Sequence, residues 1–150
     1  MIHQSVSTIF LCVLSFLQMA THSVTHDPLQ SYLWENRLLI IACSEAELLE
    51  VTSTLKQASQ GIAERDLLWF VLSGGTLISN QTEPVQMGMH DLLKQTFFSE
   101  QDDGFQLRLV GKDGGVKTRS QSLDLDQIFA LVDSMPMRQA EMRAMSQKSR

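Results

Sequence analysis

RLLIIACSEAELLE, residues Arg37 to Glu50, decides how the chain folds. Its first half, Arg37 to Cys43, is a near-continuous apolar run, the pattern of a strand covered on both faces and hence of a central parallel strand. The period changes at Ser44-Glu45-Ala46-Glu47, where the serine hydroxyl can cap the amide three residues on and Glu47 can reach back to Ser44. Behind this capping box, Leu48, Val51, Leu55, Ala58 and Ile62 step by three or four along one apolar helix face that stops near Gly61. Asp66 to Leu72 (DLLWFVL) repeats the buried-strand pattern and breaks at Gly74-Gly75. Strand, helix, strand within about 35 residues is a βαβ unit.

Upstream, Leu29 to Glu35 (LQSYLWE) brings the chain to the first strand, with Tyr32 and Trp34 expected as packing residues. Downstream, the polar stretch Gly74 to Gln86 reads as a loop, and Met89, Leu92, Leu93 and Phe97 form the inward face of a modest helix from about Met87 to Phe97. The acidic link Glu100, Asp102, Asp103, Gly104 lacks the ligand spacing and terminal glutamate of an EF-hand and reads as a solvated turn. Phe105 to Val110 (FQLRLV) and Val116 to Arg119 (VKTR) flank an Asp113-Gly114 turn and make a β-hairpin. Asp124 with Gln127 repeats the capping pattern ahead of Leu125, Ile128, Phe129 and Val132, which recur at helical spacing. Pro136 ends that helix or starts another, and the tail from Met137 to Arg150 is helix-prone and basic. This order, β-α-β-α-β-β-α, predicts an α/β fold of the thioredoxin-like kind, a central mixed sheet of about four strands with flanking helices.

The 150 residues are 43% hydrophobic and 19% charged, with three prolines, eight glycines and two cysteines, which is the composition of one globular domain. Those proportions exclude a disordered tail, a collagen-like rod and a disulfide-dense scaffold. A net charge of -5 argues against a nucleic-acid partner. Ile9 to Ala20 (IFLCVLSFLQMA) is an apolar run too short for the roughly 20 residues of a membrane span but suited to the core of a secretory signal. The residues before it carry no Lys or Arg, while Thr21 and Ser23 provide small side chains for cleavage after Ser23. The expected organisation is therefore a signal peptide at 1–23 and a single domain at 24–150, exported to the periplasm or secreted and not integral to a membrane once cleaved, with an uncleaved anchor or a buried N-terminal helix as the alternative readings of the same run. Removal of the signal takes Cys12 with it and leaves Cys43 alone, so no internal disulfide can form and the core must supply the stability.

WENRLLIIACS at Trp34 to Ser44, ERDLLWFV at Glu64 to Val71, and GKDGGVKTR with DQIFALVDSMPMRQAEM between Gly111 and Met142 together resemble the bacterial DUDES-type domain of unknown function. Relatives of that domain occur as repeats in vertebrate extracellular-matrix and sushi-repeat proteins. The resemblance covers the chain beyond the signal, and its specific part is GKDGG followed by MPMR. It implies a thioredoxin-like, signal-bearing bacterial protein, and it brings no activity with it.

Cys43 is the candidate catalytic residue, because a thiol beside a helix N-terminus can have a lowered pKa and thioredoxin-like enzymes place their reactive cysteine just beyond this strand. Against that, the sequence has no CxxC, no resolving cysteine, no Pro-x-x-Thr/Ser-x-x-Cys peroxidase pattern and no proline ahead of Phe105 where thioredoxins carry one. A buried strand-end cysteine packed as a small apolar side chain fits the same residues. His26 and His90 with one cysteine have no ligand spacing, so no metal or other cofactor is expected. Gly111, Lys112, Gly114 and Gly115 sit between two strands, not in the strand-to-helix context of a phosphate loop, and no GxSxG elbow supports a hydrolase. Asn80-Gln81-Thr82 is a glycosylation sequon, relevant in a eukaryotic host. Met135, Pro136, Met137 and Arg138 read first as a structural clasp, in which the proline sets the chain direction, the methionines fill irregular gaps against the sheet and Arg138 can pair with Asp133. They are also the candidate partner-binding residues, because the methionines and the basic tail can form an adaptable docking surface. Two expectations follow. The first is a non-catalytic module binding an unknown protein or envelope component; the second is a single-cysteine thiol oxidoreductase or peroxide-responsive protein using Cys43.

Overall fold

The computed structural model describes residues 28–99 and 104–148; the apolar run at 9–20, its cleavage position, His26 and the acidic residues 100–103 lie outside them. The run RLLIIA does form the centre of the molecule. Strand β1 (Arg37–Ala42) pairs in parallel with β2 (Leu67–Ser73), bringing Leu39 beside Trp69 and Ile41 beside Val71. Its other edge pairs antiparallel with β4 (Gln106–Val110), which continues through the predicted hairpin to β5 (Val116–Ser120). With β3 (Thr76–Ser79) the sheet has the order β3-β2-β1-β4-β5, a mixed sheet of thioredoxin-like type.

Because successive side chains of β1 point to opposite faces, its apolar run feeds two cores. Leu39, Ile41 and Cys43 join Val51 and Leu55 of α1 (Glu45–Gln57), Ile62 of α2 (Ser59–Ala63), and Ile128 and Val132 of α4 (Leu125–Ser134). Leu38 and Ile40 join Phe70, Met89 and Leu93 on the other face, beneath α3 (Met89–Phe97) and the short 3-10 helix Pro28–Tyr32. Burial of each such side chain stabilises the fold by roughly 1.5–3 kcal/mol before entropy is counted. The last helix, α5 (Pro136–Lys148), begins with proline at its first position, where the missing N–H costs nothing.

Several expectations change. The sheet has five strands because Thr76–Ser79, inside the expected loop, folds back on β2 through Gly74-Gly75, with Gly74 at φ 54. Leu77 and Ile78 are half-buried there, and the Asn80 side chain extends the pairing, accepting from the Trp69 N–H at 2.8 Å and donating to the Leu67 carbonyl at 3.3 Å. The sequon asparagine is thus already engaged. The single helix face from Leu48 to Ile62 is divided at Ala58 into α1 and α2. Helix α3 starts at Met89, since Gly88 before it has φ 82. Tyr32 packs edge-on against Phe70 with ring centroids 5.8 Å apart, but Trp34 is 65% exposed, its backbone in the left-handed region at φ 68 and its N–H donated to the Lys112 carbonyl at 2.7 Å. The polar members of FQLRLV are not at the surface either. Gln106 and Arg108 are buried, and the Arg108 guanidinium donates to the Phe97 carbonyl at 3.2 Å and lies over the Phe98 ring, tying the end of α3 to the sheet.

Candidate functional site

The parallel pair β1 and β2 has two ends, and the chemistry-bearing residues divide between them. At the C-terminal end, the Cys43 N–H donates to the Leu72 carbonyl at 3.0 Å, which aligns Cys43 beside Ser73 of β2 on the face of Ile41 and Val71. Cys43 is 8% exposed and is the free cysteine of the described residues. Burial pushes its thiol pKa up, and the nearby Glu47 charge pushes it further. The capping box explains that charge: the Glu47 carboxylate accepts from the Ser44 N–H at 2.9 Å and the Ser44 hydroxyl at 2.6 Å, and these bonds hold it below the usual glutamate range. The device that caps α1 therefore places an anion where a thiolate would need a cation. Ser73 is the one unexplained group nearby, a buried hydroxyl with no hydrogen-bond partner.

The N-terminal end is built from charge. Arg37, the first residue of β1, is 1% exposed; its guanidinium donates to the Arg65 carbonyl at 2.8 Å and to both oxygens of Glu141 on α5, at 3.1 and 3.3 Å. Lys112, in the β4–β5 turn, bridges Asp66 at 2.8 Å and Glu141 at 3.0 Å. Arg138 reaches Asp133 at 3.3 Å and lies 3.6 Å from Glu141, while Arg65 pairs with Asp133 at 2.5 Å and stacks over Phe129. Gly61 permits that stack, because a Cβ there would stand 2.9 Å from the Phe129 ring. Burial alone would push the Glu141 carboxyl up, but hydrogen bonds and charge from Arg37 and Lys112 outweigh it and hold the group below the ordinary range. Asp133 behaves likewise, with Arg65 and Arg138 overcoming its burial. Lys112 is held above the ordinary lysine value, its burial outweighed by Asp66 and Glu141.

This network accounts for the two specific sequence blocks. The lysine of GKDGG and the arginine of MPMR meet at Glu141. Pairing of Arg138 with Asp133 is as the sequence suggested. Of the four candidate partner-binding residues, Arg138 is 5% exposed and Met135 packs against the core, whereas Pro136 and Met137 reach the surface. The group at Gly111, Lys112, Gly114 and Gly115 is a hairpin turn closed by the Gly111 N–H to the Gly115 carbonyl at 2.9 Å, with Gly114 at φ 78. No group of three or more metal-ligating side chains occurs among the described residues. Sequence reasoning missed Arg37 and Glu141. One signal was present, a charged residue opening an otherwise apolar strand.

Fold and site together define an α/β protein of thioredoxin-like architecture with a buried cysteine at one end of its central strands and an ion-paired clasp at the other. The chain belongs to the DUF4174 family, a domain of unknown function, whose pattern it matches over residues 28–141. No curated protein and no solved structure matches it. No helix among the described residues is long and apolar enough to cross a membrane.

Proposed function

We propose that this protein is an exported, non-catalytic binding module in which Cys43 is a packing residue. The observation that carries the reading is the state of that thiol: 8% exposed, beside a carboxylate, and with its pKa raised, at the position where a thioredoxin-like enzyme needs an accessible thiolate. Export rests on the apolar run at 9–20 and the small residues after it, and the resemblance to DUDES-type domains adds the association with extracellular proteins. The binding face is the α4–α5 junction, where Pro136 and Met137 are exposed and Met135 and Arg138 lie beneath them as supports, offering an adaptable surface to a protein or envelope component.

Native protein is expected to react with an aromatic disulfide reagent far more slowly than a free thiol, with the rate rising in denaturant, and to show no disulfide reductase or peroxidase activity. Rapid stoichiometric labelling of the native protein, together with thiol-disulfide exchange that disappears in Cys43→Ser, would overturn the proposal. The N-terminal sequence of exported protein is expected to start at Val24. A second reading, Cys43 as a nucleophile resolved by an external thiol, draws on the partnerless Ser73 hydroxyl beside it, a donor suited to a sulfenate or mixed disulfide.

A further inference from the structure

On the face of the sheet away from α1 and α4 lies an open cavity of about 290 Å³. Leu38 and Val110 of the sheet, Leu29 and Leu33 from the segment before β1, and Phe97 at the end of α3 give it apolar walls. None of these residues belongs to the charge clasp or to the cysteine end. About 290 Å³ is roughly twice the volume of an apolar cavity that accepts one benzene, which suits two fused rings or a chain of about ten carbons.

Two unusual backbone positions shape the mouth. Trp34 has φ 68, and its N–H is tied to the Lys112 carbonyl, so the indole swings outward while Leu33 lines the cavity. Gly114 has φ 78, and a Cβ on it would lie 2.8 Å from Leu33 Cδ2, so the turn closes directly on that side chain. Left-handed backbone at a tryptophan persists where the surroundings over-determine it, and such strain gathers at ligand sites. Here it borders the cavity.

The polar groups at the mouth restrict the occupant. Asn36 contributes an amide able to donate and accept; its backbone N–H is bound to the Tyr32 carbonyl at 2.9 Å. Asp113 contributes a carboxylate that accepts from Lys117 at 2.6 Å and from the Gly115 N–H at 3.1 Å, both of which favour its ionised form. With that carboxylate already paired to Lys117, the mouth offers no unpaired charge, so an anionic or a cationic ligand alike would exchange its hydration for an apolar wall without a counter-charge. We infer that this cavity binds a small, neutral, mostly apolar molecule with one hydrogen-bonding group directed at Asn36. The inference goes beyond the binding reading above, whose face is the α4–α5 junction; its test leaves Cys43 and that junction untouched, so failure of the cavity is read separately from both.

The test is a fluorescence titration of the full chain with the neutral two-ring probe 1-aminonaphthalene and with the anionic probe 5-aminonaphthalene-1-sulfonate. Two variants block the cavity from exposed positions on different elements, Thr96→Trp on α3 and Gln30→Trp on the 3-10 helix. The neutral probe is expected to bind saturably at one site in the micromolar range, and the anionic probe at least about tenfold more weakly. Each blocking variant should weaken the neutral probe by about tenfold or more while its circular dichroism and melting temperature match the parent. A variant that fails this folding comparison is set aside and the other decides. No saturable binding, equal affinity for the two probes, or unchanged binding in a correctly folded blocked variant each overturns the inference; the last places the probe elsewhere, residues 9–20 included.

Discussion

Arg37 and Cys43, at the two ends of β1, stand about 20 Å apart, given the rise of an extended strand, and the protein treats the two ends in opposite ways. At the C-terminal end a neutral thiol sits among apolar side chains beside a hydroxyl with no partner. At the N-terminal end an arginine with 1% exposure is held by a carboxylate from the last helix, a lysine from a hairpin shares that carboxylate, and two further arginines join through Asp133. Thioredoxin-like enzymes concentrate their chemistry at the first end; here the built structure is at the second. A charge network ties β1, the residue before β2, the β4–β5 turn, α4 and α5 together and fixes their positions.

The sharpest way to break the contrast is to remove the carboxylate that Arg37 depends on. Glu141→Gln is expected to destabilise the protein by about 3 kcal/mol in urea unfolding, because it leaves a buried guanidinium uncompensated. Replacing both partners with apolar residues, Arg37→Met with Glu141→Leu, should cost less than that single change. A double variant no milder than the single one would mean that Arg37 is held chiefly by the Arg65 carbonyl. Cys43→Ala, at the other end, should cost about 1 kcal/mol or less.

Acidity supplies the next effect. Glu141 and Asp133 have folded-state values below their ordinary ones, so their contribution is present above the unfolded values near 4.3 and 3.9 and is lost as pH falls through the folded values. Lys112 is shifted upward, so its contribution is complete below about 10.4 and disappears as pH rises through its folded value. Unfolding free energy should therefore run level from the carboxylate limit up to about 8.5, where the raised Cys43 thiol starts a decline toward alkali, and should drop toward acid, with a shallower drop in Glu141→Gln. An identical acid limb in the two proteins would remove Glu141 from the account.

A smaller effect is expected at the turn that carries Lys112. Gly114→Ala places a Cβ at φ 78 against Leu33, at a cost of about 1–2 kcal/mol from the left-handed backbone, visible in thermal unfolding. The Cys43→Ala cost completes the descending series, and a value rivaling Glu141→Gln would mean the strand-end thiol does more than pack.

How much of this was legible in the residues follows from the range of each signal. β1, α1 and β2 were readable because a strand run and a capping box are local patterns, and Glu47 does reach back to Ser44. β3 was not, because Leu77 and Ile78 are the only apolar residues of a four-residue strand in a polar segment, and their pairing with β2 comes from a tight turn. Trp34 looked like core by residue type, yet its backbone turns it outward. Asp133 with Arg138 was readable since the two are five residues apart around a proline. Arg37 with Glu141 lies 104 residues apart, and no periodicity links such positions; only the folded sheet brings the start of β1 under α5.

That separation also bears on where the fold can be cut. α5 buries little apolar surface, with Arg138 as its buried residue, so by hydrophobic bookkeeping it would pass for a dispensable tail. Its Glu141 is nevertheless the counter-ion of the first residue of the central strand and the last residue of the family match. A chain ended after α4 would keep every strand and nearly all of both cores and would still strand a cation in the interior, whereas one ended shortly after Glu141 would lose only exposed helix. The boundary of the domain is drawn by one carboxylate.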